Sequence, residues 1–94
     1  MVGGGQGAFI GAVHRIASRI DDRYELLAGA FSSNAEKAIA SGQEIGIDED
    51  RNYKNFNEMI EAESSREDKI DAVAIVTPNH MHHPIALAFM NKGF

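Results

Sequence analysis

The chain is 94 residues long, which bounds it to one small domain with a modest core. Its hydrophobic fraction of 44% and charged fraction of 24% are those of an ordinary globular protein and exclude collagen-like and low-complexity architectures. A net charge of −5 argues against a nucleic-acid partner, and the absence of cysteine excludes disulfides, thiolate catalysis and thiolate-bound zinc. No apolar run reaches the roughly 18 residues needed to span a bilayer, so no membrane association is expected. The glycine-rich start does not have the basic-then-apolar pattern of a signal peptide, and the lack of cysteine fits a cytoplasmic protein.

In chain order, Met1-Val2 precedes Gly3-Gly4-Gly5-Gln6-Gly7, a glycine cluster that marks a turn. From Ala8 to Ile20, Phe9, Ile10, Val13, Ile16, Ala17 and Ile20 recur at helical spacing and predict a helix with one buried stripe, stopped by Asp21-Asp22. Tyr24–Phe31 is short and mostly apolar and predicts a buried strand. Ser33-Asn34-Ala35-Glu36 has the capping-box pattern, so a second helix is expected from Asn34 or Ala35 to about Ala40, ending near Gly42. Residues 42–50 read as an acidic loop, and Asn52-Tyr53-Lys54 as a very short strand. Asn55-Phe56-Asn57-Glu58 starts a third helix with Phe56, Met59 and Ile60 inward and Glu61, Glu63, Glu67 and Asp68 on its wet face or at its end. Ile70–Val76 predicts a strand apolar on both faces, as in a parallel sheet covered by helices. Pro84 is expected to open the last helix as its first residue, and Gly93 to stop it. Alternation of this kind means βαβ units and a parallel sheet.

Gly3-x-Gly5-x-x-Ala8 fits the dinucleotide fingerprint G-x-G-x-x-G/A. The first small residue makes the tight turn, the second lets backbone approach a pyrophosphate, and the third lets helix and strand pack closely. The following helix aims N–H groups and a partial positive charge at the anion. A flexible glycine-rich terminus is the competing explanation for the glycines alone. No Lys-Ser/Thr pair follows them, so this is not the phosphate loop of an NTPase.

The residue that ends the second strand of such a fold meets the adenosine ribose, where an acid binds the 2′-hydroxyl and repels a 2′-phosphate. Here Phe31 is followed by Ser32-Ser33-Asn34, with Lys37 one turn into the next helix. Two hydroxyls and a cation suit a 2′-phosphate, so NADP is expected to be accepted and slightly favoured over NAD. The plainer alternative is that Ser33 caps the helix and Lys37 is solvated.

Thr77-Pro78-Asn79-His80-Met81-His82 follows the last strand and so lies at the carboxyl end of the sheet, where open α/β folds bind ligands. With the glycine turn, Thr77-Pro78-Asn79, His82, Ala86, Lys92 and Gly93 in these places, the chain resembles the oxidoreductases of the glucose–fructose oxidoreductase and inositol dehydrogenase type (Gfo/Idh/MocA) along essentially its whole length. The resemblance implies a partial Rossmann fold, an α/β parallel sheet flanked by helices, over residues 1–94, with its first strand nearly absent and truncated at both ends. It implies that Pro78, Asn79 and His82 contact the cofactor near its ribose and nicotinamide end. It implies hydride transfer on a sugar- or polyol-like substrate by a parent enzyme that is a homo-oligomer. Family members continue into a Glu-Lys-Pro-like motif with a catalytic lysine and a larger substrate domain. Both lie beyond Phe94 in that pattern, so no catalytic residue is carried over. The candidate cofactor-binding set is Gly3, Gly5, Gln6, Ala8, Phe9 and Ile10 around the turn, Ser32, Ser33 and Lys37 at the ribose, and Thr77, Pro78, Asn79 and His82. The alternatives are a non-catalytic nucleotide-binding module and a gene fragment without function.

His80, His82 and His83 could suggest a metal, but residues two apart do not share a helix face and no carboxylate completes a set, so none is expected. His80 and His83 read as partly exposed loop residues, and His14 as a surface residue of the first helix. Asp48-Glu49-Asp50 reads as a solvated loop, and Met59, Met81 and Met90 as core or rim fillers. With so little of the first strand, its two neighbours are left with unpaired backbone groups, and the isolated chain is expected to be marginal, oligomeric or aggregation-prone.

Overall fold

A computed structural model describes all of residues 1–94. Strand β1 is Val2–Gly3 and strand β2 is Ile75–Val76; they run parallel, with Val2 opposite Ile75 and Gly3 opposite Val76. On its other side β1 meets the segment around Ala30. The Met1 amine donates to the Ala28 carbonyl at 2.8 Å. The Ala30 N–H donates to the Met1 carbonyl at 3.0 Å, and the Gly3 N–H to the Ala30 carbonyl at 2.9 Å. Gly29 pairs onward with the next segment, donating to the Arg51 carbonyl at 3.1 Å and accepting from the Tyr53 N–H at 2.8 Å. Four chain segments thus lie side by side, all parallel, in the sequence order third, second, first, fourth. This is one wing of the doubly wound Rossmann arrangement and its first step past the centre.

The two residues of β1 therefore suffice to pair on both sides, and Met1 and Val2 are buried. Their shortness limits their neighbours. Tyr24–Phe31 and Ile70–Val76 are expected as strands over their full lengths, but their bonding to β1 is confined to Ala28–Ala30 and Ala74–Val76, because only Met1–Gly3 presents backbone partners between them. Residues 70–76 are also not covered on both faces. Ile70, Val73 and Ile75 pack on the core, whereas Ala72 and Ala74 are exposed.

Helix α1, Phe9–Arg19, lies one residue inside each expected bound, and its apolar stripe is not buried. Phe9 is 81% exposed and Ile20 74%, and Gly11 is the helix's only buried residue. No other element of the chain covers the stripe. The helix is held by its N-terminal end, where Gly11 lies so close to the glycine turn that an added Cβ would stand 2.5 Å from the Gly4 Cα.

Helix α2 runs Ala35–Ile45, past the expected stop. Gly42 lies inside it because the helix must pass close to Asn52, whose amide would occupy the place of any Cβ there. The actual stop is Gly46, in the left-handed region at φ 91°. The N-cap is Asn34, whose Oδ1 accepts from the Lys37 N–H at 2.9 Å, so Ser33 is not the cap. Part of the expected acidic loop forms a 3₁₀ turn at Glu49–Arg51.

Helix α3, Phe56–Ser64, is capped by Asn55, which accepts from the Glu58 N–H. Its inward residues include Met59 and Ile60, as expected. Helix α4, His82–Asn91, begins two residues before Pro84, after a 3₁₀ turn at Asn79–Met81. Proline is tolerated there because first-turn N–H groups have no partner within the helix. The core joins Val2, Ala28, Ala30, Tyr53, Met59, Ile60, Ile85 and Phe89, with α3 and α4 on one side of the sheet.

Glu63 corrects a further expectation. It is 0% exposed rather than on the wet face. Its position, three and four residues after Ile60 and Met59, puts it on the inward face of α3. There Arg51 grips it with two hydrogen bonds, Nε to Oε1 at 3.0 Å and Nη2 to Oε2 at 2.7 Å. The Tyr53 hydroxyl donates to Oε1 at 2.9 Å and the Ile70 N–H to Oε2 at 3.2 Å. Burial alone would raise the Glu63 carboxyl; the bonds from Arg51, Tyr53 and Ile70 outweigh it and hold the group below its ordinary value of 4.5. Burial and the bond to Glu63 push the Tyr53 hydroxyl up to about 12.

Candidate functional site at the carboxyl end of the sheet

A cleft of about 530 Å³ opens where the chain leaves β1, the Ala30 segment and β2. Each wall is the stretch just after a strand. The glycine turn forms the floor, Phe31-Ser32-Ser33 one side and Thr77-Pro78 the other, with Asn55, Phe56, His80 and Met81 at the rim.

The floor fits a group larger than a side chain can leave room for. Gly3 turns in the left-handed region at φ 82°, and an added Cβ would stand 2.9 Å from the Val76 carbonyl oxygen. Gly5 sits in a slot where a Cβ would be 2.6 Å from both the Phe31 carbonyl oxygen and the Ser41 hydroxyl. Its own N–H donates to Phe31 at 3.0 Å. The Gly7 N–H has no protein acceptor, and Ala8 caps α1 without any side-chain bond. The first-turn N–H groups of α1 therefore keep their capacity for an external anion, unlike those of α2 and α3, which asparagines cap. Lys37 Nζ lies 3.9 Å from where a Cβ on Gly7 would be, so its charge stands at the mouth of the turn. No Asp or Glu lines the cleft, although the chain carries 14 of them. The residues present thus fit a phosphorylated ligand in shape and in charge.

Of the candidate residues, Gly3, Gly5, Gln6, Ala8, Ser32, Ser33, Lys37, Thr77 and Pro78 come together around the cleft. Phe9, Ile10, Asn79 and His82 do not line it. Phe9 and Ile10 have exposed side chains in the first turn of α1. His82 turns back on its own loop, its Nε2 2.8 Å from the Thr77 carbonyl oxygen, so its ring braces the loop that carries Pro78. Ala8 does not serve close packing of helix on turn; it is exposed, and Gly11 against Gly4 makes that contact. His80, His82 and His83 are all exposed, and nowhere do three His, Asp or Glu side chains converge on one point. Asn55, Phe56 and Met81 belong to the cleft but carry no fingerprint. Their signal is only that each sits next to a helix start at the sheet's carboxyl end.

A second groove, of about 550 Å³, lies at the opposite end of the sheet between residues 19–26 and 45–47. It has no glycine turn and faces the C-terminal ends of α1 and α2, which repel anions.

A parallel α/β sheet, a glycine turn opening a helix and a ligand cleft at the carboxyl ends of the strands define a dinucleotide-binding domain. The full chain, residues 1–94, matches the oxidoreductase family GFO_IDH_MocA, described by its NAD-binding Rossmann fold, and the chain belongs to that family. It is 40% identical over 94 residues to the oxidoreductase YfiI of Bacillus subtilis (strain 168), covering 99% of this chain and 24% of that protein. An oxidoreductase structure from Sinorhizobium meliloti is 57% identical with a TM-score of 0.91, over 99% of this chain and 25% of that one. An inositol dehydrogenase homolog from Azotobacter vinelandii, in complex with NADH and myo-inositol, is 37% identical with a TM-score of 0.95, over 100% of this chain and 25% of that one. The chain thus spans about a quarter of the length of these relatives.

Proposed function

We propose that this chain is the nucleotide-holding portion of an NAD(P)-dependent oxidoreductase acting on a sugar- or polyol-like substrate, with the substrate domain and the proton-transferring residues lying outside residues 1–94. The observation that carries this is the cleft itself, which combines unspent N–H groups, a lysine ammonium and no carboxylate in an otherwise acidic chain. The glycine turn and the first turn of α1 hold the pyrophosphate. Phe9 and Ile10 act there through their backbone N–H groups, whereas Gly3, Gly5, Gln6 and Ala8, whose N–H groups are spent within the protein, shape the turn that lets the anion come close. Ser32, Ser33 and Lys37 hold the adenosine ribose. Thr77 and Pro78, braced by His82 and followed by Asn79, lie towards the nicotinamide. When bound, the nicotinamide supplies the hydride chemistry, and the protein's part is to orient it and to exclude water. The polyol substrate class is supported by the myo-inositol complex of the Azotobacter vinelandii homolog. A parent enzyme in the cytoplasm suits a cysteine-free chain, and a homo-oligomer is what the family resemblance implies.

We further propose that the cofactor includes NADP. Ser33 is free of the capping role, Ser32 and Lys37 line the same wall, and no acid stands there to repel a 2′-phosphate. Titration of the chain with NAD+ and NADP+ tests both points. Binding of neither sinks the dinucleotide assignment, and clear preference for NAD+ sinks the NADP assignment alone. Lys37→Ala is expected to weaken NADP+ by about tenfold, as for a hydrogen bond to a charged group, and NAD+ by less. The alternative is a nucleotide-binding module without catalysis. Assay of the full natural product with polyols in the presence of NAD(P)+ separates the two.

A further inference from the structure

We propose that Ser41 is a positioning residue for the pyrophosphate cradle, acting through the backbone of Gln6; this rests on the dinucleotide assignment above. Ser41 lies in α2, 35 residues from the turn it touches, and is 1% exposed. Its Oγ accepts the Gln6 N–H at 3.0 Å. The same hydroxyl closes one side of the slot around Gly5, whose other side is the Phe31 carbonyl. Three residues on, Glu44 Oε1 accepts from the Gln6 side-chain Nε2 at 2.8 Å. Four residues before Ser41 is Lys37, whose ammonium stands beside Gly7. Lys37, Ser41 and Glu44 are spaced four and three apart and so form one polar stripe of α2 facing the glycine turn.

The consequence is a division of labour among the N–H groups of the turn. Those of Gly5 and Gln6 are spent inside the protein, on Phe31 and Ser41. That fixes the peptide planes on either side of Gly5. The Gly7 N–H and the start of α1 are thereby held clear of protein acceptors. A glycine-rich turn has many conformations of similar energy, and an anion site made of backbone needs one of them selected beforehand. Ser41 makes that selection without touching the anion. Because α2 also carries Lys37 and begins at the ribose-facing serines, the ribose and phosphate subsites share one rigid element.

The test compares the wild-type chain with Ser41→Ala and Ser41→Cys. Cysteine keeps the volume but is a weak acceptor, so the pair separates hydrogen bonding from packing. NAD+, ADP and adenosine are titrated by amide chemical shifts, which follow affinities into the millimolar range. Both variants are expected to bind NAD+ and ADP about three- to tenfold more weakly, the equivalent of one hydrogen bond, and adenosine as the wild type does. Equal weakening of all three ligands, or a loss in Ser41→Ala alone with Ser41→Cys at the wild-type level, overturns the proposal and leaves Ser41 a packing residue. A wild-type chain that binds neither NAD+ nor ADP removes the dinucleotide assignment, and this inference with it.

Discussion

At single residues, the structure ties the largest consequences to groups whose surroundings leave no room to adjust. A methyl group on Gly5 would meet a backbone carbonyl at 2.6 Å, which cannot swing aside as a side-chain tip can. Gly5→Ala is therefore expected to shift the turn, lower stability by about 1–3 kcal/mol and abolish measurable NAD+ binding; calorimetric titration beside a thermal melt checks both. The Arg51–Glu63 pair is the other such place. Removing one partner of a buried pair leaves the other charged and unpaired, so Arg51→Met is expected to cost about 3–5 kcal/mol. The pH dependence has a defined sign. The Glu63 carboxyl sits lower in the folded chain than its ordinary 4.5, so its contribution is fully present above pH 4.5. That contribution is lost as pH falls from 4.5 through the lowered folded value. Urea melts across the acid range should show Glu63→Gln with a flatter acid limb than the wild type. The Arg51–Glu63 pair was not legible in the sequence. A glutamate among polar neighbours has no mark of burial unless its spacing from Met59 and Ile60 is weighed above its charge.

Secondary elements show the same tension between local signal and context. The starts of α2 and α3 follow from their asparagines, and each cap contributes in the usual way. Asn55→Ala is expected to cost about 1 kcal/mol and lower the melting midpoint by about 4–8 °C. The interior glycine of α2 misleads a sequence reader because its cause is long-range: Asn52 needs the space. Likewise α1 has a regular apolar stripe, and periodicity alone assigns it to a core. Whether anything covers the stripe is a property of the rest of the fold. Ile16→Gln is accordingly expected to change stability by no more than about 0.5 kcal/mol, as at an open surface, and light scattering should show less self-association. A loss of the size seen for core truncations, about 2–5 kcal/mol, would mean that the stripe is covered in solution.

For the molecule as a whole, the fold class was legible because alternation of strand and helix leaves few topologies, and the cleft because both of its motifs follow strands. What was not legible is the extent of pairing. It depends on how many partners β1 offers, and no pattern within residues 24–31 or 70–76 records that number. The position of β1 makes the arrangement sensitive to its first residues. Val2 is nearly fully buried and joins the Ala30 segment to β2, so Val2→Asp is expected to abolish the cooperative melt, whereas Lys54→Asp, at an exposed position, should leave it in place.

The same two-residue strand sets a schedule for the chain as it is made. Val2 is made 73 residues ahead of its partner Ile75. At about 5–20 residues per second, the interval is on the order of 4–15 s. During it the glycine turn has no β2 beside it, and the cleft has only one of its two side walls. The cleft is therefore complete only once the segment around Ile75 has emerged and joined the sheet.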